Sequence, residues 1–321
     1  MHDILTTAWF GLMGLMLAIY VVTDGFDLGV GILSLLARRE EDRDQIYASI
    51  GHVWDANETW LVVLGGAMFG AFPLAYAMLM EQLYVAIMLL VAFLIMRGAA
   101  IEFRHAAHNK RGWDLVFGLG SLGCAICQGI VLGKVITGLA PGGLAAGFTA
   151  LCAAGVVAGY ALLGATYLVK KAHGKLVLAA RRHAVTSLVA TVGAALVLTA
   201  GTLFSSEIGH GRWMQPGVLA LLVPLALLAA FASAYVLYAL HIGASHGPFR
   251  GAIGLFLSSF AGLAVSLFPN VVPGRLTLAQ AASDSATMAF MLCGIALIFP
   301  VMVGYNLYQY YVFRGRVSHH H

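Results

Sequence analysis

Charged residues are scarce in this chain. Only 10% of its 321 residues are Asp, Glu, Lys or Arg, whereas soluble domains carry about 25%. The hydrophobic share is 60% and the mean hydropathy is +0.88. This composition excludes a soluble globular fold. It predicts an all-α polytopic membrane protein in which residues 1–321 form a single integral membrane domain.

Other absences exclude further classes of protein. The four cysteines include one CxxC pair, Cys124 and Cys127, but no second pair or nearby histidine completes a zinc site. The net charge is +4, but the basic residues do not form a cluster interleaved with aromatics, so we expect no nucleic-acid partner. No Lys or Arg precedes the first apolar run, which is long enough to span a bilayer, so we expect no cleavable signal peptide. The terminal residues 319–321 are typical of a purification-tag remnant.

Long apolar runs are abundant. Most are near the roughly 20 residues that a transmembrane helix requires. The sequence predicts nine transmembrane helices, which would fit two four-helix bundles plus one peripheral helix. The nine segments are Trp9–Leu36, Val53–Ala71, Met80–Ile101, Leu115–Leu139, Leu144–Val169, Ala184–Leu203, Val218–Leu240, Ile253–Phe268 and Ala286–Phe313.

The basic residues are distributed unevenly between the loops. The connections after the first, third, fifth and seventh segments, together with the C-terminal tail, hold 14 of the 18 Lys and Arg residues. The opposite connections hold only Arg212 and Arg275. Because positive loops stay in the cytoplasm, we expect a periplasmic N-terminus and a cytoplasmic C-terminus.

Carboxylates inside two apolar segments are the most informative feature. Asp24 and Asp27 lie in the first segment, and Asp55 and Glu58 lie early in the second. A carboxylate at bilayer depth costs about 2.5–3.5 kcal/mol on insertion scales, so it is retained mainly where it has a use. At 1.5 Å per residue, Asp24 and Asp27 lie roughly 22 and 27 Å from the outer end of their helix, in the inner half of the bilayer.

The third segment supplies the opposite charge at the same depth. Arg97 is the expected counter-charge, and Glu102 lies near the same helix end. We therefore predict a hydrated proton pathway formed by Asp24, Asp27, Asp55, Glu58, Arg97 and Glu102. A purely structural alternative stays open, in which Asp55 and Glu58 favour a helix N-terminus and Asp27 joins an interhelical hydrogen-bond network.

Histidine is missing from the middle of the predicted helices. A haem needs a His, Met or Cys ligand at the right depth, and no histidine occurs there. The 12 methionines are spread through the apolar helices as packing residues. We therefore assign no haem and no metal to this chain.

These motifs together resemble a known family. The run Thr23-Asp24-Gly25-Phe26-Asp27-Leu28-Gly29-Val30-Gly31 resembles the first-helix signature of subunit II of the cytochrome bd-type quinol oxidases. Trp54-Asp55-Ala56-Asn57-Glu58-Thr59-Trp60-Leu61, followed by Gly65-Gly66 and Phe72-Pro73, is similar to its second-helix signature. Arg97-Gly98 and Glu102-Phe103-Arg104 resemble the end of its third helix. Phe268-Pro269, Leu276–Ser283 and Gly304-Tyr305 extend the resemblance toward the C-terminus.

The resemblance implies a fold and a function. It implies a nine-helix, non-haem subunit of a respiratory-chain complex in the bacterial inner membrane, where the complex oxidises quinol and reduces oxygen to water. It implies a partner, subunit I, that carries two b-type haems and one d-type haem. Some family members hold a structural quinone in subunit II or recruit a small single-helix subunit. The acidic residues through which protons enter in the family correspond to Asp24 and Asp55 of this chain, and Arg97 supports them. Asp27, Glu58 and Glu102 are added to the predicted pathway because of their depth and spacing.

Two other functions fit the same residues. A proton- or cation-coupled transporter also needs buried carboxylates, but it predicts helices broken at the midplane, and most prolines of this chain fall at helix ends. A purely structural partner of subunit I would tolerate neutral substitutions at the acidic positions.

Overall fold

The protein is a bundle of long helices. The computed structural model describes residues 1–205, 208–313 and 315–316. Arg314 of the basic tail and residues 319–321 lie outside the described residues. The helices are α1 (His2–Ser34), α2 (Glu40–Ile50), α3 (Trp54–Ala71), α4 (Pro73–Gln82), α5 (Tyr84–Phe103), α6 (Lys110–Ile136), α7 (Gly143–Lys171), α8 (Lys175–Ser205), α9 (Pro216–His241), α10 (Gly247–Leu267), α11 (Leu278–Ala281) and α12 (Ser285–Val312).

Among the described residues, eight helices are long and apolar enough to cross a membrane, and α3 with α4 gives a ninth if that bent pair counts as one span. This pattern confirms the all-α polytopic class and all nine predicted segments in outline. The division into two four-helix bundles stays a prediction. α1 lies at the centre of the bundle and contacts α3, α6, α7, α10 and α12.

The second and third predicted segments differ from the structure at their junction. The chain bends by 119° between α3 and α4, where Pro73 begins the new helix. The predicted start of the third segment at Met80 is wrong, because Met80 belongs to α4 and α5 begins at Tyr84. Hydropathy alone could not find this boundary, because α4 is itself apolar.

The amphipathic helix α2 was not predicted. It carries Glu40, Glu41 and Asp42 in its first turn and buries Ile46 and Tyr47. Its charged composition hides it from a search for membrane spans. It lies across the ends of the longer helices, because Tyr167 of α7 donates a hydrogen bond of 2.9 Å to the carbonyl oxygen of Ser49.

The basic connections all meet at one end of the bundle, which we call the basic end. It comprises the connections α1–α3, α5–α6, α7–α8 and α9–α10 and the end of α12. Arg181, near the start of α8, donates to the carbonyl oxygens of Leu240, in the last turn of α9, and of Gly243, just after it. Lys171 donates to the carbonyl oxygens of Phe313 and Gly315. The charge asymmetry of the sequence therefore corresponds to one physical end of the molecule.

The opposite end is closed by ordered structure between α10 and α12. The antiparallel strands β1 (Asn270–Val272) and β2 (Leu276–Thr277) lead into the short α11. Asp284 caps α12, accepting hydrogen bonds from the Thr287 hydroxyl and from the backbone nitrogens of Thr287 and Ala286, which holds the pKa of its carboxyl below the usual value. Trp9 of α1 donates to the carbonyl oxygen of Met288, which ties α12 to α1.

Candidate proton-transfer site

A buried arginine forms the centre of the candidate site. Arg97 of α5 is 0% exposed and binds two carboxylates. Its Nη1 lies 2.5 Å from Oδ1 of Asp24, and its Nη2 lies 2.8 Å from Oε2 of Glu58. Three helices, α1, α3 and α5, therefore meet through one guanidinium. The counter-charge expected for the acidic signatures is present at this contact.

The spacing of the acids on α1 explains why they reach α3 and α5. Asp24 and Asp27 are i,i+3 neighbours and share one face of the helix. Gly25 and Gly29 allow α7 to approach elsewhere on α1, because a Cβ at Gly25 would lie 2.9 Å from the ring of Tyr160. Close packing against α7 thus fixes the rotation of α1 and leaves its acidic face toward α3 and α5.

Asp27 is held by an amide instead of by a charge. Nδ2 of Asn57 donates to Oδ2 of Asp27 at 2.7 Å. The hydroxyl of Tyr310 on α12 donates to Oδ1 of Asn57 at 2.6 Å. Asp27 and Asn57 are both 0% exposed, and Oδ1 of Asp27 has no hydrogen-bond partner within the described part of the chain. This oxygen is therefore positioned to bind a proton or a water molecule.

A second hydrogen-bond chain runs from α7 to Tyr20 on α1. The hydroxyl of Tyr160 donates to Oε1 of Gln128 at 2.5 Å, and Nε2 of Gln128 donates to the Tyr20 hydroxyl at 2.8 Å. Since the Tyr20 oxygen accepts from Gln128, its own proton is directed elsewhere. Asp24 lies one turn after Tyr20 on α1, and its Oδ2 has no hydrogen-bond partner within the described part of the chain. We call Asp24, Asp27, Asn57, Glu58 and Arg97 the Arg97 cluster.

The net charge of the Arg97 cluster is its main physical property. It contains three carboxylates against one guanidinium, and four of its five side chains are fully buried. Only Glu58 is partly accessible, with 24% of its side chain exposed. Like charges at bilayer depth raise one another's free energy. The arrangement is therefore suited to exchange of a proton among the carboxylates.

Two of the predicted pathway residues lie outside this cluster. Asp55, in the first turn of α3, and Glu102, near the end of α5, are both exposed at the basic end. The structure describes no ion pair for either of them. Asp55 lies three residues before Glu58 and shares its helix face, whereas Glu102 is more than one turn beyond Arg97.

A separate charge cluster at the basic end was not predicted. Arg104 is nearly fully buried, and its Nε lies 2.6 Å from Oδ1 of Asp114 while its Nη1 lies 2.7 Å from Oδ1 of Asp44. Arg43 lies 2.8 Å from the other oxygen of Asp114. The guanidinium of Arg104 also stacks over the ring of Tyr47 at 4.4 Å. These contacts fasten α2 to the ends of α5 and α6.

Sequence reasoning missed several residues that complete the Arg97 cluster. Asn57 stands between Asp55 and Glu58 in the second acidic signature, and Tyr20 stands one turn before Asp24, so both had a local signal. Gln128, Tyr160 and Tyr310 had none, because each reaches the site only through the packing of its helix.

Cofactor ligands are sparse in the described part of the chain. There, no histidine is buried, and no three His, Cys, Asp or Glu side chains are grouped to hold a metal ion. Cys124, Cys127 and Cys152 are buried free thiols, and Cys293 is an exposed one. The buried thiols lie in helix contacts; Cys124, for example, faces the carbonyl oxygen of Leu90 at 3.9 Å.

Comparison with known proteins decides the family. Residues 5–313 match the model of the family described as cytochrome bd terminal oxidase subunit II. The chain belongs to the cytochrome bd terminal oxidase subunit II family. As a subunit II with this many apolar helices, it is a multi-pass protein of the bacterial inner membrane.

Two relatives of this subunit II are similar in sequence, one along the whole chain and one along less than half of it. It is 28% identical to the Bacillus subtilis cytochrome bd ubiquinol oxidase subunit 2, over 99% of this chain and 97% of the relative. It is 34% identical to the Escherichia coli K12 cytochrome bd-I ubiquinol oxidase subunit 2, over 43% of this chain and only 38% of that relative. These relatives are named as subunits of ubiquinol oxidases, which are oxidoreductase complexes.

The fold of subunit II is found in a solved structure. A chain of the bd oxidase from Geobacillus thermodenitrificans matches with a TM-score of 0.76 at 18% identity, covering 96% of this chain and 99% of that one. At this identity the match supports the fold alone.

Proposed function

We propose that this protein is the non-haem subunit of a quinol-oxidising, oxygen-reducing terminal oxidase and delivers protons to a haem-bearing partner, subunit I. The observation that carries the proposal is the Arg97 cluster, three carboxylates around one buried guanidinium at the position of the family's acidic signatures. Reduction of oxygen to water consumes protons, so a buried acidic route has a use in such a complex.

The haem groups are assigned to the partner because the described residues of this chain do not fit one. A haem in a membrane bundle needs an axial His, Met or Cys at depth. The described histidines lie at or near helix ends and are at most half-buried, the buried cysteines lie in helix contacts, and the buried Met16 and Met288 pack in the apolar core. We accordingly place two b-type haems and one d-type haem in subunit I.

Purification of the native complex tests the assignment to an oxidase. We expect that this chain, isolated through an affinity tag from membranes of its host, brings with it a protein whose reduced-minus-oxidised spectrum shows b- and d-type haem bands. Subunit II supplies no buried imidazole in its described part, so those bands require the partner. A stable, haem-free protein that purifies alone would contradict the proposal.

Exposure along α3 gives the proton route a direction. Asp55 is exposed at the basic end, Glu58 is partly exposed, and Asp24 is fully buried beyond it. With the basic end in the cytoplasm, as the loop charges require, protons would enter at Asp55 and pass through Glu58 to Asp24 by way of intervening water. Arg97 holds the last two carboxylates near one another, and Asn57 with Tyr310 fixes Asp27 beside them. We assign Glu102, exposed near the end of α5, to the same entrance.

Neutral substitution of the buried acids tests proton delivery. We expect Asp24→Asn and Asp27→Asn to lower quinol-driven oxygen consumption about tenfold or more, since loss of a positioned proton-transfer group costs about 10²–10⁴-fold. Asparagine keeps the shape and much of the hydrogen bonding of aspartate but cannot accept a proton. Turnover is measured per d-type haem, so that the assembled complex alone is counted.

The matched control is Asp3→Asn, an exposed carboxylate at the start of the same helix. We expect it to leave turnover unchanged. If Asp24→Asn, Asp27→Asn and Asp55→Asn all assemble with normal haem content and normal turnover, subunit II is only a scaffold for its partner. The transporter hypothesis gains no support from the comparisons.

A further inference from the structure

An apolar groove opens at the basic end between α1, α2, α7 and α8. Its volume is about 340 Å³. Leu33, Ile46, Leu168 and Leu176 form its walls. These four side chains are packed between the helices and form the floor of the groove, whereas Leu36 at its opening is 58% exposed.

The rim of the groove is positively charged. Arg38, Arg39 and Lys175 line it together with one carboxylate, Asp42. Arg39 neutralises that carboxylate through two hydrogen bonds of 3.0 and 2.7 Å, and it also lies 3.7 Å from the exposed Glu41. Arg38 and Lys175 are exposed and have no ion pair within the described part of the chain. Two cations at the mouth of the groove are therefore available to a ligand.

The position of the groove restricts its ligand. Arg38 follows the end of α1, and Lys175 begins α8, so both lie where these membrane helices reach the bilayer surface. From this level the lining continues along the first turns of α8, through Ala179 and Ala180 to His183. A ligand that satisfies both parts carries negative charge at the membrane surface and an apolar chain beneath it.

We infer that this groove binds an anionic phospholipid, with its phosphate between Arg38 and Lys175 and an acyl chain against Leu36 and the edge of Leu33. Basic pockets between transmembrane helices at the membrane surface bind acidic lipid head groups in this way. A soluble phosphate would leave the apolar walls without a partner, and a zwitterionic lipid would leave the excess positive charge unmatched. The inference rests on the groove alone and does not depend on the proposed proton route.

Lipid retention by the intact complex tests this inference. The complex is purified in mild detergent, supplied with phosphatidylglycerol or phosphatidylcholine, and examined by native mass spectrometry. We expect the wild type to retain phosphatidylglycerol about tenfold more strongly than phosphatidylcholine, because each basic residue near an anionic head group adds a substantial attraction. The double variant Arg38→Gln/Lys175→Gln should lose that preference.

Two further variants separate charge from general damage. Arg111→Gln/Arg250→Gln removes the same charge from exposed positions at the basic end outside the groove and should keep the preference. Arg38→Lys/Lys175→Arg keeps the charge in the groove and should keep it as well. If the glutamine double variant fails to assemble, the wild type still gives an answer, because its phosphatidylglycerol should be released as salt is raised from about 0.1 to about 1 M.

The contrary outcomes are equally definite. Equal retention of the two lipids by the wild type, or the same preference in the glutamine variant and in its matched control, overturns the inference. Displacement of bound phosphatidylglycerol by inorganic phosphate alone would show that the rim is an anion site without a lipid chain and would overturn it too.

Discussion

Replacing Arg97 by glutamine is expected to destabilise the assembled protein by about 3–5 kcal/mol, the usual cost of removing one partner from a buried ion pair. Asp24 is fully buried and would be left with no cation beside it. Glu58 is partly exposed and would recover some hydration. The loss should appear as a lower thermal midpoint of the purified complex and a smaller amount of it in membranes.

Removing the opposing charge should recover part of that stability. We expect Arg97→Gln/Asp24→Asn to be more stable than Arg97→Gln alone, because the two neutral side chains leave no uncompensated charge between α1 and α5. Arg250→Gln, an exposed substitution of the same type, is the control and should change the midpoint little. If Arg97→Gln were as stable as Arg250→Gln, the central role of the guanidinium would be wrong.

Alanine at Gly29 or Gly164 is expected to destabilise the bundle by about 1–3 kcal/mol or more, since overpacking forces backbones apart. A Cβ at Gly29 would fall against the carbonyl oxygen of Tyr160 and lie 2.8 Å from the backbone nitrogen of Gly164. A Cβ at Gly164 would in turn meet the backbone of Gly29. Backbone atoms cannot rotate away as a side chain does, so α1 and α7 must separate.

Separation of these helices should also affect the candidate site, because packing on α7 fixes the rotation of α1. Oxygen consumption per haem is therefore expected to fall together with the thermal midpoint. Gly193→Ala on α8 is the matched control, since a Cβ there meets nothing within 4 Å. That change should be neutral or slightly stabilising, because alanine favours a helix over glycine. A Gly29→Ala complex as stable as the Gly193→Ala complex would refute the close-contact explanation.

The helices themselves were largely predictable. Hydropathy found all nine apolar segments, because a span must satisfy its backbone internally and present apolar side chains to lipid along its whole length. Hydropathy did not find α2, because that helix is too charged to be recognised as apolar. It also did not separate α4 from its neighbours, because α4 is apolar although it is bent by 119° from α3. The connection between α10 and α12, which contains Pro269 and Pro273, is ordered as the β1–β2 pair and α11.

The candidate site was predictable only in part. Depth and i,i+3 spacing selected Asp24, Asp27, Glu58 and Arg97, and the structure brings these four together with Asn57. The same arguments selected Asp55 and Glu102, which lie exposed at the basic end. Depth along a helix does not specify the direction in which a side chain points. Depth therefore could not separate the residues that meet at Arg97 from Asp55 and Glu102, which are exposed.

The sequence by itself determined that this is a multi-helix membrane protein with a surplus of carboxylates at one depth and its basic loops at one end. Those properties follow from composition and from periodicity along single helices. Only the tertiary structure decided that Tyr310 and Asn57 hold Asp27, that Gln128 and Tyr160 reach Tyr20, and that Arg104 joins α2 to α5 and α6. The reason is that such contacts depend on how each helix is rotated against its neighbours, and that rotation is fixed by close packing such as the approach of Gly29 to Gly164.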